Sequence, residues 1–252
     1  MLIDTHAHLN FNAFSKDRHK IIKKSLADKI WMINVGSNYH TSQKAVCLAE
    51  KYKAGVYAAV GLHPIHAQEG FDYKKYKELA AIKKVKAIGE TGLDYKEEYF
   101  SFRQKQAEVF LQQMTLAQEM CLPLIFHCRR AHDAMLAIIK QELEKNKTNI
   151  RGVVHCFTGK WPQAEQYLKM GFYLGFNGII FKLNLDQIIK KTPLNRILIE
   201  TDCPYLTPSP AVGRNEPAYV RYVMQRIARL KGISEIKTAG QTRLNAKKLF
   251  KI

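Results

Sequence analysis

No apolar run in this 252-residue chain approaches the roughly 18 residues that a membrane span requires. No basic leader with an apolar stretch and a small-residue cleavage site opens it, so the chain is read as cytoplasmic, with no membrane partner. Cysteine is sparse: Cys47, Cys121, Cys128, Cys156 and Cys203 make an odd number with no CxxC pair. That excludes a disulfide scaffold and argues against a closed, cysteine-rich structural zinc site. There is no linker, repeat or low-complexity tract, and Gly159, Gly175 and Gly178 fit neither dinucleotide nor P-loop spacing. Acidic residues are few, 22 against 40 basic ones, for a net charge of +18. Such a balance favours polyanions, but 29 lysines scattered over nearly every helix-like segment fit solvated faces equally well, and no compact basic stripe stands out.

What is present is a regular alternation. Short apolar segments predict strands at Leu2 to His6, Ile30 to Gly36, Val56 to Gly61, Val85 to Glu90, Pro123 to His127, Gly152 to His155, Phe172 to Phe176 and Arg196 to Glu200. Helical patterns fall between them, including Asp17 to Asp28, Ser37 to Lys53, Asp72 to Lys84, Tyr99 to Met120 and Ala131 to Leu143. Glu216 to Ile252 predicts two helices broken at Lys231-Gly232, and Pro162 sits where helix starts prefer it. Eight strands alternating with helices at this length predict an α/β fold, a single (β/α)8 TIM barrel forming one hydrolase domain over residues 1–252. A doubly wound open sheet is the competing architecture.

The chemistry starts at Asp4-Thr5-His6-Ala7-His8. An extended segment points alternate residues the same way, so His6 and His8 would aim at one point. Alone, an HxH dyad is better explained by ordinary core or surface histidines. A barrel, however, gathers function at the C-terminal strand ends, and those ends also carry His63, Glu90, His127, His155 and Asp202. Imidazoles and carboxylates converging on one mouth are costly to bury unpaired, and divalent cations would satisfy them. Six ligands suit two ions: His6, His8 and Asp202 on one, His127 and His155 on the other, Glu90 bridging. Asp202 is the candidate general base, with Glu90 beside it in the catalytic machinery. The ions less the two carboxylates leave the site about +2, which attracts phosphate. His63 and Arg129 are candidate substrate contacts, although Arg129 could equally form a salt bridge to Glu200 or Asp133. Glu200, on the face of Asp202, is positioned to orient a ligand. Cys128, Cys156 and Cys203 each follow a proposed ligand, and strand alternation expects them to face the outer helices as small buried hydrophobes.

These motifs resemble the TatD family of metal-dependent deoxyribonucleases along nearly the whole chain. The resemblance rests on Asp4-Thr5-His6-Ala7-His8-Leu9, Gly61-Leu62-His63-Pro64, Gly89-Glu90-Thr91-Gly92-Leu93-Asp94-Tyr95 and Phe126-His127-Cys128-Arg129. It continues through Arg151 to Gly159, Glu200-Thr201-Asp202-Cys203-Pro204-Tyr205-Leu206, Arg214-Asn215-Glu216-Pro217 and Asn245-Ala246. It implies a TIM-barrel hydrolase related to amidohydrolases, a phosphodiesterase removing nucleotides from 3′ ends of DNA, with a part in DNA repair or degradation. It also implies that the six proposed ligands hold metal and that His63 and Arg129 contact substrate phosphate. One departure is Ile65, where relatives often place a histidine after His-Pro; that leaves a substrate role for His66 open.

The metal stays open between Zn²⁺ or Mn²⁺, which suit the ligand types, and Mg²⁺, which the resemblance implies. The expected partner is DNA, as single strands or 3′ ends, and the expected state is a monomer. Two other functions compete: an amide or ester hydrolase acting on a small molecule, and a non-catalytic nucleic-acid-binding protein with structural metals. Many two-metal amidohydrolases bridge their ions with a carboxylated lysine on the fourth strand, where this chain has Glu90; that weighs against the first. The room left for water weighs against the second.

Overall fold

The computed structural model describes residues 1–146 and 150–252. Eight strands form one sheet whose spatial order is the chain order: β1 (Leu2–Ala7), β2 (Ile30–Val35), β3 (Val56–Val60), β4 (Val85–Asp94), β5 (Leu124–Arg129), β6 (Gly152–Val154), β7 (Tyr173–Phe176) and β8 (Ile197–Ile199). Every adjacent pair is parallel. The sheet then closes. Ala7 bridges Cys203 in parallel, the His8 amide donates to Cys203 O at 2.9 Å, and the Asp202 amide donates to His6 O at 2.8 Å. Because β1 meets the chain after β8 as well as β2, the open doubly wound sheet is excluded and the fold is a (β/α)8 barrel.

Ten α-helices accompany the strands among the described residues: α1 (Arg18–Ala27), α2 (Tyr39–Glu50), α3 (Tyr73–Ala80), α4 (Glu97–Phe100), α5 (Arg103–Glu119), α6 (His132–Asn146), α7 (Trp161–Lys169), α8 (Asp186–Lys191), α9 (Val220–Lys231) and α10 (Glu235–Phe250). Local chemistry sets several boundaries. Asn38 and Thr41 form a reciprocal capping box that starts α2. Gly232 ends α9 in the left-handed conformation, φ 62°, as the Lys231-Gly232 break predicts.

Parallel strands are covered on both faces, so they read as continuous apolar runs, and the core has two layers. The outer layer, including Met32, Phe110, Phe126 and Tyr167, packs strands against helices. The inner layer, including Ile3, Ile33, Ile125 and Leu198, fills the barrel and meets Leu249 and Phe250 of α10. Each such fully buried side chain stabilises the fold by roughly 1.5–3 kcal/mol. Asn245 donates from Nδ2 to Leu194 O and Ile197 O, holding α10 at the entry to β8. That end of the barrel is therefore plugged, and chemistry is left to the opposite end.

Three differences from the sequence reading bear on the site. β4 runs four residues beyond Glu90, shifting register against β5 and then pairing Gly92, Leu93 and Asp94 with His127, Cys128 and Arg129. A Cβ at Gly92 would lie 2.1 Å from His127 O, so only glycine lets the ladder continue there. The expected helix from Tyr99 to Met120 is divided into α4 and α5, and Gln106 at the start of α5 ties its side-chain amide to Asp94 and Tyr99. Between β7 and β8, where no element was expected, lie a 3-10 turn (Gly178–Phe181) and α8.

Candidate metal centre

His6 and His8 leave the end of β1 almost fully buried. Asp4, on the same face, does not join them: Oδ1 accepts the Thr201 and His6 amides at 2.9 and 3.2 Å, and Oδ2 accepts the Thr201 hydroxyl at 2.6 Å. Asp4 thus fastens β1 to the end of β8. Burial pushes its carboxyl up to about 8, against the lowering effect of those hydrogen bonds.

The six expected ligands meet at one mouth. His6 Nε2 lies 3.1 Å from His8 Nε2, 3.3 Å from Glu90 Oε2 and 3.7 Å from Asp202 Oδ1. His8 Nε2 is 3.3 Å from the same Asp202 oxygen. Glu90 Oε1 faces the other group, 2.7 Å from His127 Nδ1 and 3.6 Å from His155 Nε2. Glu90 thus lies between His6 and His8 on one side and His127 on the other, with the His155 ring stacked on that of His6 at 3.6 Å between centroids.

Hydrogen-bond partners set which way the ring nitrogens face. His8 Nδ1 sits 2.8 Å from Val35 O, which only accepts, so Nδ1 carries a proton and Nε2 is the nitrogen turned to the mouth. His155 Nδ1 lies at ion-pair distance, 2.8 Å, from Glu200 Oε1, with Nε2 facing Glu90. His127 has both nitrogens against carboxylates, Nε2 3.1 Å from Asp94 Oδ2 and Nδ1 2.7 Å from Glu90 Oε1, and although burial opposes its charge, these hydrogen bonds raise it above the ordinary histidine range. A histidine whose far nitrogen is held by a carboxylate or carbonyl is the arrangement that metal ligands adopt. His63 is the opposite case: its Nδ1 accepts the Ile65 amide at 3.2 Å, so its Nε2 carries the proton and points a donor toward Glu90 Oε1 at 3.4 Å. Distance alone groups His63 with Glu90 and His127, but its tautomer makes it a hydrogen-bond donor rather than a ligand.

The charge balance points the same way. Burial acts to raise the carboxyl of Glu90, but the imidazoles of His63, His6 and His155 outweigh it and hold the group well below its ordinary range. Asp202 is likewise lowered, burial being overcome chiefly by His155. Burial opposes charge on His155 as well, yet Glu200, Glu90 and Asp202 push it up to about 10. His6 is shifted the other way, lowered by burial and by His155. The groups His6–His8–Asp202 and His6–Glu90–His155 share His6 and are alternative seats for a cation, and His127 falls in a third group with Glu90 and His63.

The remaining expectations divide. Glu200 is buried and its Oε1 also accepts the Cys156 amide at 2.7 Å and Asn177 Nδ2 at 3.2 Å, so it braces His155. Arg129 lines the mouth, exposed, and makes neither proposed salt bridge: Glu200 is engaged as described and Asp133 accepts from Gln163 Nε2 at 2.8 Å. His66 pairs with Glu69 at 2.7 Å. Cys203 is fully buried, and Cys128 is buried at the inner edge of the cavity. Cys156 departs from the outward-facing expectation. β6 stops at Val154, Cys156 has a left-handed φ of 46°, and its thiol turns to Asn177 Oδ1 at the cavity wall. Asp94 was missed: ending β4 at Glu90 hid it, although Glu90, Gly92 and Asp94 keep the alternation that would have found it.

A (β/α)8 barrel with this histidine and carboxylate mouth defines a class, the metal-dependent hydrolases. A family model described as TatD related DNase matches residues 3–251. The chain is 42% identical to the metal-dependent hydrolase YabD of Bacillus subtilis, over all of both chains. It is 36% identical to the 3′-5′ ssDNA/RNA exonuclease TatD of Erwinia tasmaniensis, again over all of both. The crystal structure of YjjV, a TatD homologue from Escherichia coli, superimposes with a TM-score of 0.90 at 28% identity, covering 100% of this chain and 98% of that one. The chain belongs to the TatD family.

Proposed function

We propose that this protein is a divalent-metal-dependent phosphodiesterase that shortens single-stranded nucleic acid from its 3′ end. The observation that carries the reading is the convergence of imidazole nitrogens from His6, His8, His127 and His155 on the two oxygens of Glu90 and on Asp202. Relatives named 3′-5′ ssDNA/RNA exonuclease support the substrate class.

His6, His8 and Asp202 would hold one divalent ion, His127 and His155 a second, with Glu90 shared. Zn²⁺ and Mn²⁺ match the nitrogen ligands, and Mg²⁺ the carboxylates. Bound ions supply Lewis-acid polarisation of the phosphate and lower the pKa of an attacking water. The chain's own groups do the rest. Asp202, kept ionised by the imidazoles around it, accepts the proton of that water. His63 Nε2–H and the exposed Arg129 donate to non-bridging oxygens as charge builds on them. Glu200 and Asp94 hold the rings of His155 and His127 in the required orientation.

A 5′-labelled single-stranded oligonucleotide incubated with Mg²⁺, Mn²⁺ or Zn²⁺ should yield a descending ladder of products. Glu90→Ala and His127→Ala should abolish it. Absence of shortening with all three ions, or undiminished cutting by either variant, would overturn the proposal.

A further inference from the structure

The mouth is divided by chemistry. Elements following β7, β8 and β1, which are neighbours once the barrel closes, contribute Ile179, Leu183, Tyr205, Leu206 and Phe11 to the cavity wall. The end of β5 and the segments following β5 and β6 contribute Arg129, Arg130 and Lys160, all exposed and none in an ion pair among the described residues. The metal centre lies at the floor between the two walls, in a cavity of about 890 Å³, large enough for a nucleotide.

Tyr205 is the prominent member of the apolar wall. It is 55% exposed and Leu183 46%, large hydrophobic groups left in water beside the charged floor. The Tyr205 backbone, by contrast, is fixed: its amide donates to Asp202 O at 3.0 Å, and fully buried Asn215 donates from Nδ2 to Thr201 O at 2.8 Å and Tyr205 O at 2.5 Å. The next residue is locked too, since a Cβ at Gly178 would lie 1.7 Å from Leu206 O. The Tyr205 ring stands edge-on to His8 with centroids 6.5 Å apart, and Phe11 stacks on the same imidazole at 4.3 Å. An aromatic face held on a rigid backbone loses little entropy when something packs on it.

Resting on the nuclease reading above, we infer that Tyr205, flanked by Leu183, receives the nucleobase of the nucleotide being removed, while Arg130 and Lys160 carry phosphates of the strand behind it. A nucleotide is itself divided into a flat, weakly polar base and an anionic phosphate. With its phosphate over Glu90 and Asp202, the base matches the β7–β8–β1 wall and the trailing backbone matches the β5–β6 wall. Stacking reads no base edge and no 2′-hydroxyl, so the platform tolerates any base and either DNA or RNA. A base still paired in a duplex cannot reach it, which selects single-stranded ends.

The test uses two 5′-labelled strands, identical except that one ends in a normal nucleotide and the other in an abasic residue. Removal of the final residue is followed with metal-loaded enzyme. Wild type should prefer the base-bearing strand by about tenfold or more in kcat/KM. Tyr205→Phe should keep that preference. Tyr205→Ala, checked for unchanged metal content, should lose most of it, and Tyr205→Leu should fall between. Equal cutting of both strands by wild type, or an undiminished preference in Tyr205→Ala, would overturn the inference. Failure of wild type to cut either strand would instead sink the nuclease reading, and the base platform with it.

Discussion

Replacing Glu200 with glutamine probes the support of the metal centre without changing its shape. Glu200 Oε1 takes the Cys156 amide at 2.7 Å, faces His155 Nδ1 at 2.8 Å and takes Asn177 Nδ2 at 3.2 Å. A glutamine carbonyl can keep all three partners but loses the charge. Hydrogen bonds to charged groups contribute roughly 1.5–3 kcal/mol and neutral ones roughly 0.5–1.5, so each partner loses about 1 kcal/mol. The His155 share weakens the hold on the Nδ1–H tautomer and on the ring. Partners of this kind typically change metal affinity about 10- to 100-fold, and a loss near the lower end is expected for an isosteric change. Chelator-buffered Zn²⁺ titration of Glu200→Gln, with circular dichroism to establish folding, reads the effect. Wild-type affinity and stoichiometry in a folded variant would refute the view that Glu200 orients His155.

Gly175→Ala attacks the same bracing from the other side: its Cβ would lie 2.5 Å from Glu200 Oε2, so a shifted Glu200, weaker metal binding and a loss of about 1–3 kcal/mol in urea unfolding are expected. His63→Ala should keep its full metal content by elemental analysis while kcat/KM on DNA falls, because Nε2 is a donor; loss of an equivalent would make His63 a ligand. His132, outside the ligand set, is lowered by burial to about 4. Between its ordinary 6.5 and that value the unfolded chain binds the extra proton, so stability falls as pH drops through this window, by up to about 3 kcal/mol. His132→Gln should flatten this part of the curve in urea titrations from pH 7 to 4; identical slopes for the two proteins would contradict the assignment.

The alternation of strands and helices carried most of the architecture, because parallel strands buried on both faces announce themselves as apolar runs. Barrel closure was harder to read, since it depends on the chain after β8 meeting β1 through Ala7 and Cys203. The proposed ligands were legible because they sit at strand ends, where topology alone brings them together. Asp94 was hidden because the apolar run was ended at Glu90, whereas Gly92 permits a close approach to His127 that carries the strand on. The tautomer of His63 was equally out of reach, fixed by a backbone amide two residues on. Cys156 defeated the alternation rule because its strand had already ended.

The central claim, that six side chains from five strand ends hold two ions that support phosphodiester cleavage, is tested most directly by counting metal and products together. Wild type and the His6→Ala/His8→Ala double variant are loaded with metal, freed of excess, analysed for bound ion and incubated with 5′-labelled single-stranded DNA. Two equivalents and a product ladder are predicted for wild type, against one equivalent and no ladder for the variant. Retention of both equivalents, or an undiminished ladder, in the variant would contradict the account.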